Sequence, residues 1–154
     1  MNTPKAVIKP YIKLRKIFRN KKKPAGLPPG TLIYTGEKRT QKVHVNLIDY
    51  KGDTITEHEV TDPGECKHLI KSETVSWIDI EGISEVPLVQ SRGASLGLHP
   101  LVMEDILNVD QRSKMEEYDN YVFIVLKMFH VKKTTAEITP EQVSIILGKN
   151  FVAT

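Results

Sequence analysis

The sequence predicts an α/β domain, with a mixed parallel and antiparallel sheet covered by helices on both faces. Three observations lead there. Residues 41–60 alternate apolar and polar side chains about a Lys-Gly-Asp turn. Residues 84–107 carry apolar side chains at helical spacing, punctuated by Gly97 and Pro100. The run "YVFIVLKMFHV" is rich in β-branched and aromatic residues. Hairpins and helical crossovers in one chain call for strands running both ways in one sheet.

The elements follow in order. "PAGLPPG" (residues 24–30) is a proline and glycine hinge that cannot be helix interior. It divides a basic tail, residues 1–25, from the globular part, residues 26–154. "TLIYTG" reads as a first strand ended by a glycine turn. Residues 41–50 and 54–60 read as an antiparallel hairpin, with Val43, Val45 and Leu47 alternating against His44 and Asn46. His44 and His58 belong to the solvent face of that hairpin more readily than to a metal site. "DPGECKHLIKS" predicts a short helix, and "VSWIDIEG" a buried strand stopped by Gly82. Val86, Val89 and Leu96 predict a helix that stops at Gly97. Pro100 opens the next helix, where its missing N–H costs nothing. After the polar stretch "QRSKMEEYDN", residues 121–131 read as a central strand. "EQVSIIL", "GKN" and "FVAT" then give a strand, a turn and the start of another strand. The chain stops where that strand should begin to pair, so the reading is of a domain cut short. No internal repeat is visible.

Composition narrows the function. With 40% hydrophobic and 27% charged residues the chain is an ordinary globular sequence of one-domain length. Its longest apolar stretch, residues 121–126, is far short of the ~18–20 residues that cross a bilayer as a helix. The single cysteine, Cys66, excludes an internal disulfide and suits a reducing compartment. Residues 1–23 hold nine of the 22 Lys and Arg and no acid, so the remaining 13 face 19 Asp and Glu, a net of −6. An acidic body argues against nucleic acid as a partner. The basic tail interleaves apolar residues and could touch an anionic lipid surface. There is no HExxH, no Cys/His zinc spacing, no phosphate-cradling glycine loop and no Gly-x-Ser-x-Gly elbow, so no enzyme class is indicated. His99, beside Pro100, reads as a histidine satisfying the backbone at a helix start.

The remaining chemistry lies in "LHPLVMEDILNVDQRSKMEEYDNYVFIVLKM", residues 98–128. At about 100° per residue, Val102, Met103, Ile106 and Leu107 form one stripe; Glu104 falls opposite its centre and Asp105 at its edge. Two adjacent acids diverge too widely to chelate one ion as a pair. On pattern alone they read as solvated charges near a helix N-terminus, where the dipole favours acids. Their substitution in the chain is then expected to be nearly neutral for folding.

The stretch closely resembles the cytosolic domain of the CorA family of divalent-cation transporters. The resemblance is carried by His-Pro-Leu, Glu-Asp-Ile-Leu-Asn, Gln-Arg-x-Lys, the acidic stretch with tyrosine and the apolar strand. "GLPPGTLIYTG", "VSWIDIEG" and "EQVSIILGKN" extend it over residues 26–154. It implies an α/β/α sandwich, cut before the family's stalk helix. It also implies a homopentameric parent protein in the cell (inner) membrane that admits Mg²⁺, and often Co²⁺ or Ni²⁺, with this domain on the cytoplasmic side. The stalk, the two membrane helices and the Gly-Met-Asn signature of the pore are not in this sequence. By the same resemblance Asp105 contributes to a Mg²⁺ site between subunits and Glu104 to a neighbouring one, their partner acids lying mostly on the stalk. Asp110, where relatives often carry His or another polar residue, would add to the acidic cluster; Ser113 stands where Pro is common. A related zinc transporter and a stand-alone metal-binding domain are the alternatives.

Overall fold

A computed structural model describes residues 24–37, 43–60, 70, 73–135 and 137–154 of the chain. The basic tail and nearly all of the short helix expected around Cys66 lie outside the described residues. The elements are β1 (His44–Lys51), β2 (Thr54–Glu59), β3 (Val75–Glu81), α1 (Val86–Ser95), α2 (Pro100–Leu107), β4 (Lys114–Tyr118), β5 (Tyr121–Lys132), β6 (Glu137–Gly148) and β7 (Phe151–Ala153).

The seven strands form one sheet in the order β2-β1-β3-β7-β6-β5-β4. Every neighbouring pair is antiparallel except β3 and β7, which run parallel. Two antiparallel ribbons are thus joined through the shortest strand. The β5 run is therefore one strand in from an edge, not central. Local chemistry explains the turns. Gly52 takes φ 57° in the tight β1–β2 connection, a left-handed conformation that glycine adopts without Cβ strain. His44 and His58 are both exposed, and His58 pairs with Leu47 while His44 pairs with Glu81 of β3. They do not face one another, as expected of solvent-face residues.

The pleat sorts side chains between two faces. A row of paired residues, Leu47–Ile78–Ala153–Ile146–Phe123, crosses five strands, and every member is buried. Val102, Met103 and Leu107 are also buried, and Val102 and Met103 of α2 pack into this cluster. Glycine at 93 admits α1 alongside, because a Cβ there would collide with Met103. The start of α2 is tied to β5 by the His99 N–H, which donates to the Tyr121 hydroxyl at 2.9 Å. The opposite row, Ile48–Trp77–Val152–Leu147–Val122, is equally apolar yet remains half-buried or exposed. The described architecture is a mixed sheet flanked by helices.

Two segments differ from expectation. "TLIYTG" forms no strand: Thr35 N–H donates to the Leu107 carbonyl at 3.1 Å, and the Val109 N–H donates to Thr35 Oγ1 at 3.1 Å. The segment lies along α2 and satisfies the helix C-terminus instead of a sheet edge. Conversely, β4 arises within the polar stretch, because β5 supplies a full set of pairing partners from Val125 to Tyr121.

Candidate functional site

The helix carrying the two acids is only two turns long. His99 caps it, its Nδ1 accepting from the Leu101 N–H at 3.2 Å, as expected of a histidine at a helix start. Because the helix ends at Leu107, Glu104 and Asp105 lie toward its C-terminal end, and no acid occupies its first turn. The dipole there disfavours negative charge, so N-terminal dipole stabilisation does not account for them. Other contacts hold them.

Glu104 is half-buried. Its Oε2 accepts from the Gly30 N–H at 2.5 Å, tying the Pro-Pro-Gly turn down over the helix. Gly30 has φ 81°, and a Cβ there would lie 3.2 Å from Pro100 Cβ, so this close approach requires glycine. The helical wheel put Glu104 in solvent; a segment 74 residues away covers it.

Asp105 Oδ2 is ion-paired to Lys114 Nζ at 2.6 Å, their side chains 18% and 25% exposed. Lys114 Nζ also meets Glu116 Oε1 at 2.7 Å and stands 5.6 Å above the Phe123 ring. Alternation along β4 explains the grouping. Lys114, Glu116 and Tyr118 share one face, paired with Val125, Phe123 and Tyr121, and that is the face on which α2 packs. Charged residues pointing inward from an edge strand also discourage further strand pairing. The sequence signals Lys114 and Glu116 only by their i, i+2 spacing, which puts them on one face if the segment is a strand.

These residues line a groove of about 500 Å³ between α2, β4 and the proline turn: Glu104, Asp105, Lys114, Glu116, Tyr118 and Leu101 with Pro24 and residues 26–29. Burial lowers the Lys114 pKa, but the hydrogen bonds and charges of Asp105 and Glu116 outweigh it and raise it net. The Lys114 hydrogen bond holds Glu116 below the usual carboxylate range. Burial, reinforced by the Glu116 charge, raises the Tyr118 phenol.

Asp110 does not line this groove. Its backbone N–H donates to Asn108 Oδ1 at 3.4 Å, and its Oδ2 is buried without a hydrogen-bond partner. Burial raises its pKa, partly offset by the charge of Lys127. Lys127 donates to the Val109 carbonyl at 2.7 Å and to Gln142 Oε1 at 3.1 Å.

The groove offers carboxylate oxygens, the donors a hard divalent cation takes. Their chemistry fits Mg²⁺; their number does not complete a shell. Among the described residues, no three His, Cys, Asp or Glu are grouped so as to hold a metal ion. The groove is therefore a partial donor set.

The profile of the family described as "CorA-like Mg2+ transporter protein" matches residues 72–154, which takes in α2, β4 and every acid of the groove. The chain belongs to the CorA family. The resemblance read from residues 98–128 is thereby borne out, as is the absence of an enzyme signature, since this is a family of transporters. The cobalt/magnesium transport protein CorA of Thermotoga maritima is 48% identical over 127 residues, covering 82% of this chain and 36% of that protein. A Bacillus subtilis protein provisionally named metal ion transporter YfjQ is 35% identical over 78 residues, covering 51% of this chain and 23% of its own. The soluble domain of CorA from Methanocaldococcus jannaschii superposes with a TM-score of 0.48 at 13% identity, over 70% of this chain and 39% of that one. The chain thus spans about a third or less of the length of these CorA and YfjQ relatives. Among the described residues, no helix is long and apolar enough to cross a membrane.

Proposed function

We propose that this CorA-family chain is the cytosolic regulatory domain of a divalent-cation transporter. In this reading it senses Mg²⁺ on the cytoplasmic side of the cell membrane and gates a pore formed outside residues 1–154. The observation that carries the reading is the position of Asp105, held by α2 on a groove lined by three carboxylates. Asp105 supplies one half of a Mg²⁺ site whose other acids come from a neighbouring copy in a homopentamer. Glu104 serves an adjoining site. Asp110, held beside Lys127, has no part in this groove. The transported ion is Mg²⁺, with Co²⁺ or Ni²⁺ as further cargo. The side chains of the groove that could ligate a metal offer only oxygen, which disfavours the zinc-transporter alternative, since zinc sites draw largely on nitrogen and sulfur. A stand-alone metal-binding domain is disfavoured by the incomplete donor set among the described residues. The basic residues 1–23 add a weak contact with anionic lipid.

Carboxylates facing one another across a subunit boundary at 4 Å repel by ~1 kcal/mol in water and ~4 kcal/mol at an effective dielectric of 20. Bound Mg²⁺ supplies the positive charge that turns this repulsion into attraction. Without it the facing acids push the boundary apart, and the looser arrangement permits opening. Unequal cation affinity of the two arrangements is the minimum such a switch requires.

The test is Mg²⁺-dependent protease protection of the full-length protein, wild type beside Asp105→Asn. Weaker protection, with transport less inhibited by internal Mg²⁺, is the expected result. Glu104→Gln, which keeps an acceptor oxygen for Gly30, should act in the same direction to a smaller extent. Identical protection curves for wild type and Asp105→Asn would refute the assignment.

A further inference from the structure

The carboxylate at the centre of the sensor reading already has a positive partner. Lys114 reaches inward from β4 and places its ammonium 2.6 Å from Asp105 Oδ2. The same ammonium is 2.7 Å from Glu116 Oε1, so one cationic group bridges α2 and β4. It stands inside the groove that a cation would use to reach Asp105. A Mg²⁺ ion takes oxygen ligands at about 2.0–2.1 Å, or through its own water shell. Either geometry sets it against the ammonium on the same carboxylate, where two positive charges repel.

We propose that Lys114 is a tethered competitor for Asp105: its ammonium and a bound divalent cation are alternative occupants of one carboxylate. The proposal rests on the reading of Asp105 as part of a cation site and adds the residue that sets that site's affinity. The side chain suits an exchange. A lysine carries a compact charge on a flexible four-carbon stem, so it can leave Asp105 without any backbone movement. Glu116, whose side chain is 41% exposed, remains within reach as an alternative partner. When the ammonium leaves Asp105, it keeps one ion pair instead of losing both. In the cation-free form Lys114 ties α2 to the edge strand; in the cation-bound form Glu116 retains it. Exchange of this kind weakens cation binding and keeps the site reversible.

Two measurements on the full-length protein test this. In the first, the Mg²⁺ midpoint of protease protection is compared among wild type, Lys114→Met and Lys114→Gln. Both variants should reach half protection at about tenfold lower Mg²⁺, the equivalent of about 1.4 kcal/mol of competition removed. In the second, acylation of Lys114 in wild type is followed by mass spectrometry with and without Mg²⁺. Labelling should rise as Mg²⁺ frees the ammonium from Asp105, and the rise should vanish in Asp105→Asn. Unchanged or higher midpoints in both Lys114 variants would overturn the proposal. So would labelling indifferent to Mg²⁺ in a wild-type protein that Mg²⁺ protects normally. Those failures leave the sensor reading intact if Asp105→Asn still loses protection. Loss of that effect instead removes the sensor reading and this proposal together.

Discussion

Replacing Asp105 by Asn should destabilise the chain itself, in the absence of any metal. The substitution keeps the shape of the side chain and leaves the Asp105 carbonyl, which accepts from Gln142 Nε2 at 3.2 Å, in place. What it removes is the charge opposite Lys114. Exposed ion pairs are worth about 0–1 kcal/mol, and breaking a fully buried one costs about 3–5 kcal/mol. With side chains 18% and 25% exposed, this pair lies between those limits. Two effects reduce its cost. Glu116 continues to neutralise Lys114, and an acid near the end of α2 opposes the helix dipole, so its removal returns a few tenths of a kcal/mol. The expected loss is about 1–2 kcal/mol, or a fall in Tm of about 2–8 °C for a domain of this size. Urea and thermal unfolding with a chelator present, at neutral pH, measure it directly. A double-mutant cycle with Lys114→Met should return most of the loss as coupling between the two residues. A change below about 0.5 kcal/mol, the range of a plain surface substitution, would refute the reasoning.

Phe123→Ala should cost about 3–5 kcal/mol in urea unfolding, since Phe123 is 0% exposed in the central row of the core; a loss under about 1 kcal/mol would contradict the packing described. The Lys114 hydrogen bond lowers the pKa of Glu116, so its stabilising contribution is present above the unfolded carboxylate pKa and is lost as pH falls through the folded value. A gap in Tm between wild type and Glu116→Gln should therefore be open at pH 7 and close on acidification; a gap independent of pH would show that the pairing is not its source.

Local rules made some parts of this fold legible and hid others. Both helices were bounded by residues with fixed backbone demands: Gly97, at φ 72°, closes the first and Pro100 opens the second. The β1–β2 hairpin was legible because alternation and a tight glycine turn occupy adjacent residues. β4 was not, because Lys-Met-Glu-Glu-Tyr has no apolar alternation, and its strand character comes from pairing with β5. The groove divides the same way. Asp105 was placed at the edge of the apolar stripe, and its partly sheltered position agrees. Glu104 was expected in solvent, since a helical wheel carries no information about a proline turn arriving from 74 residues upstream. The roles of Lys114 and Glu116 are hidden in the sequence because they depend on which face of a strand meets α2.

The position of β7 in the sheet has a consequence for the order in which the molecule is assembled. The connections β1–β2 and β4–β5 are each closed by two residues and can form as soon as they are made. The join between the two ribbons cannot. It waits for residues 151–153, which slot between β3 and β6 with flanking bonds from Ser76 N–H to the Asn150 carbonyl and from Ile80 N–H to the Thr154 carbonyl. About 70 residues separate the end of β3 from the start of β7, or roughly 4–14 s of synthesis at ~5–20 residues per second. Throughout that interval the inner edge of β3 offers unpaired N–H and C=O groups to any passing strand. Native β7 closes the edge, so the interval of greatest vulnerability to mispairing is set by the pace of translation and not by the strength of the finished sheet.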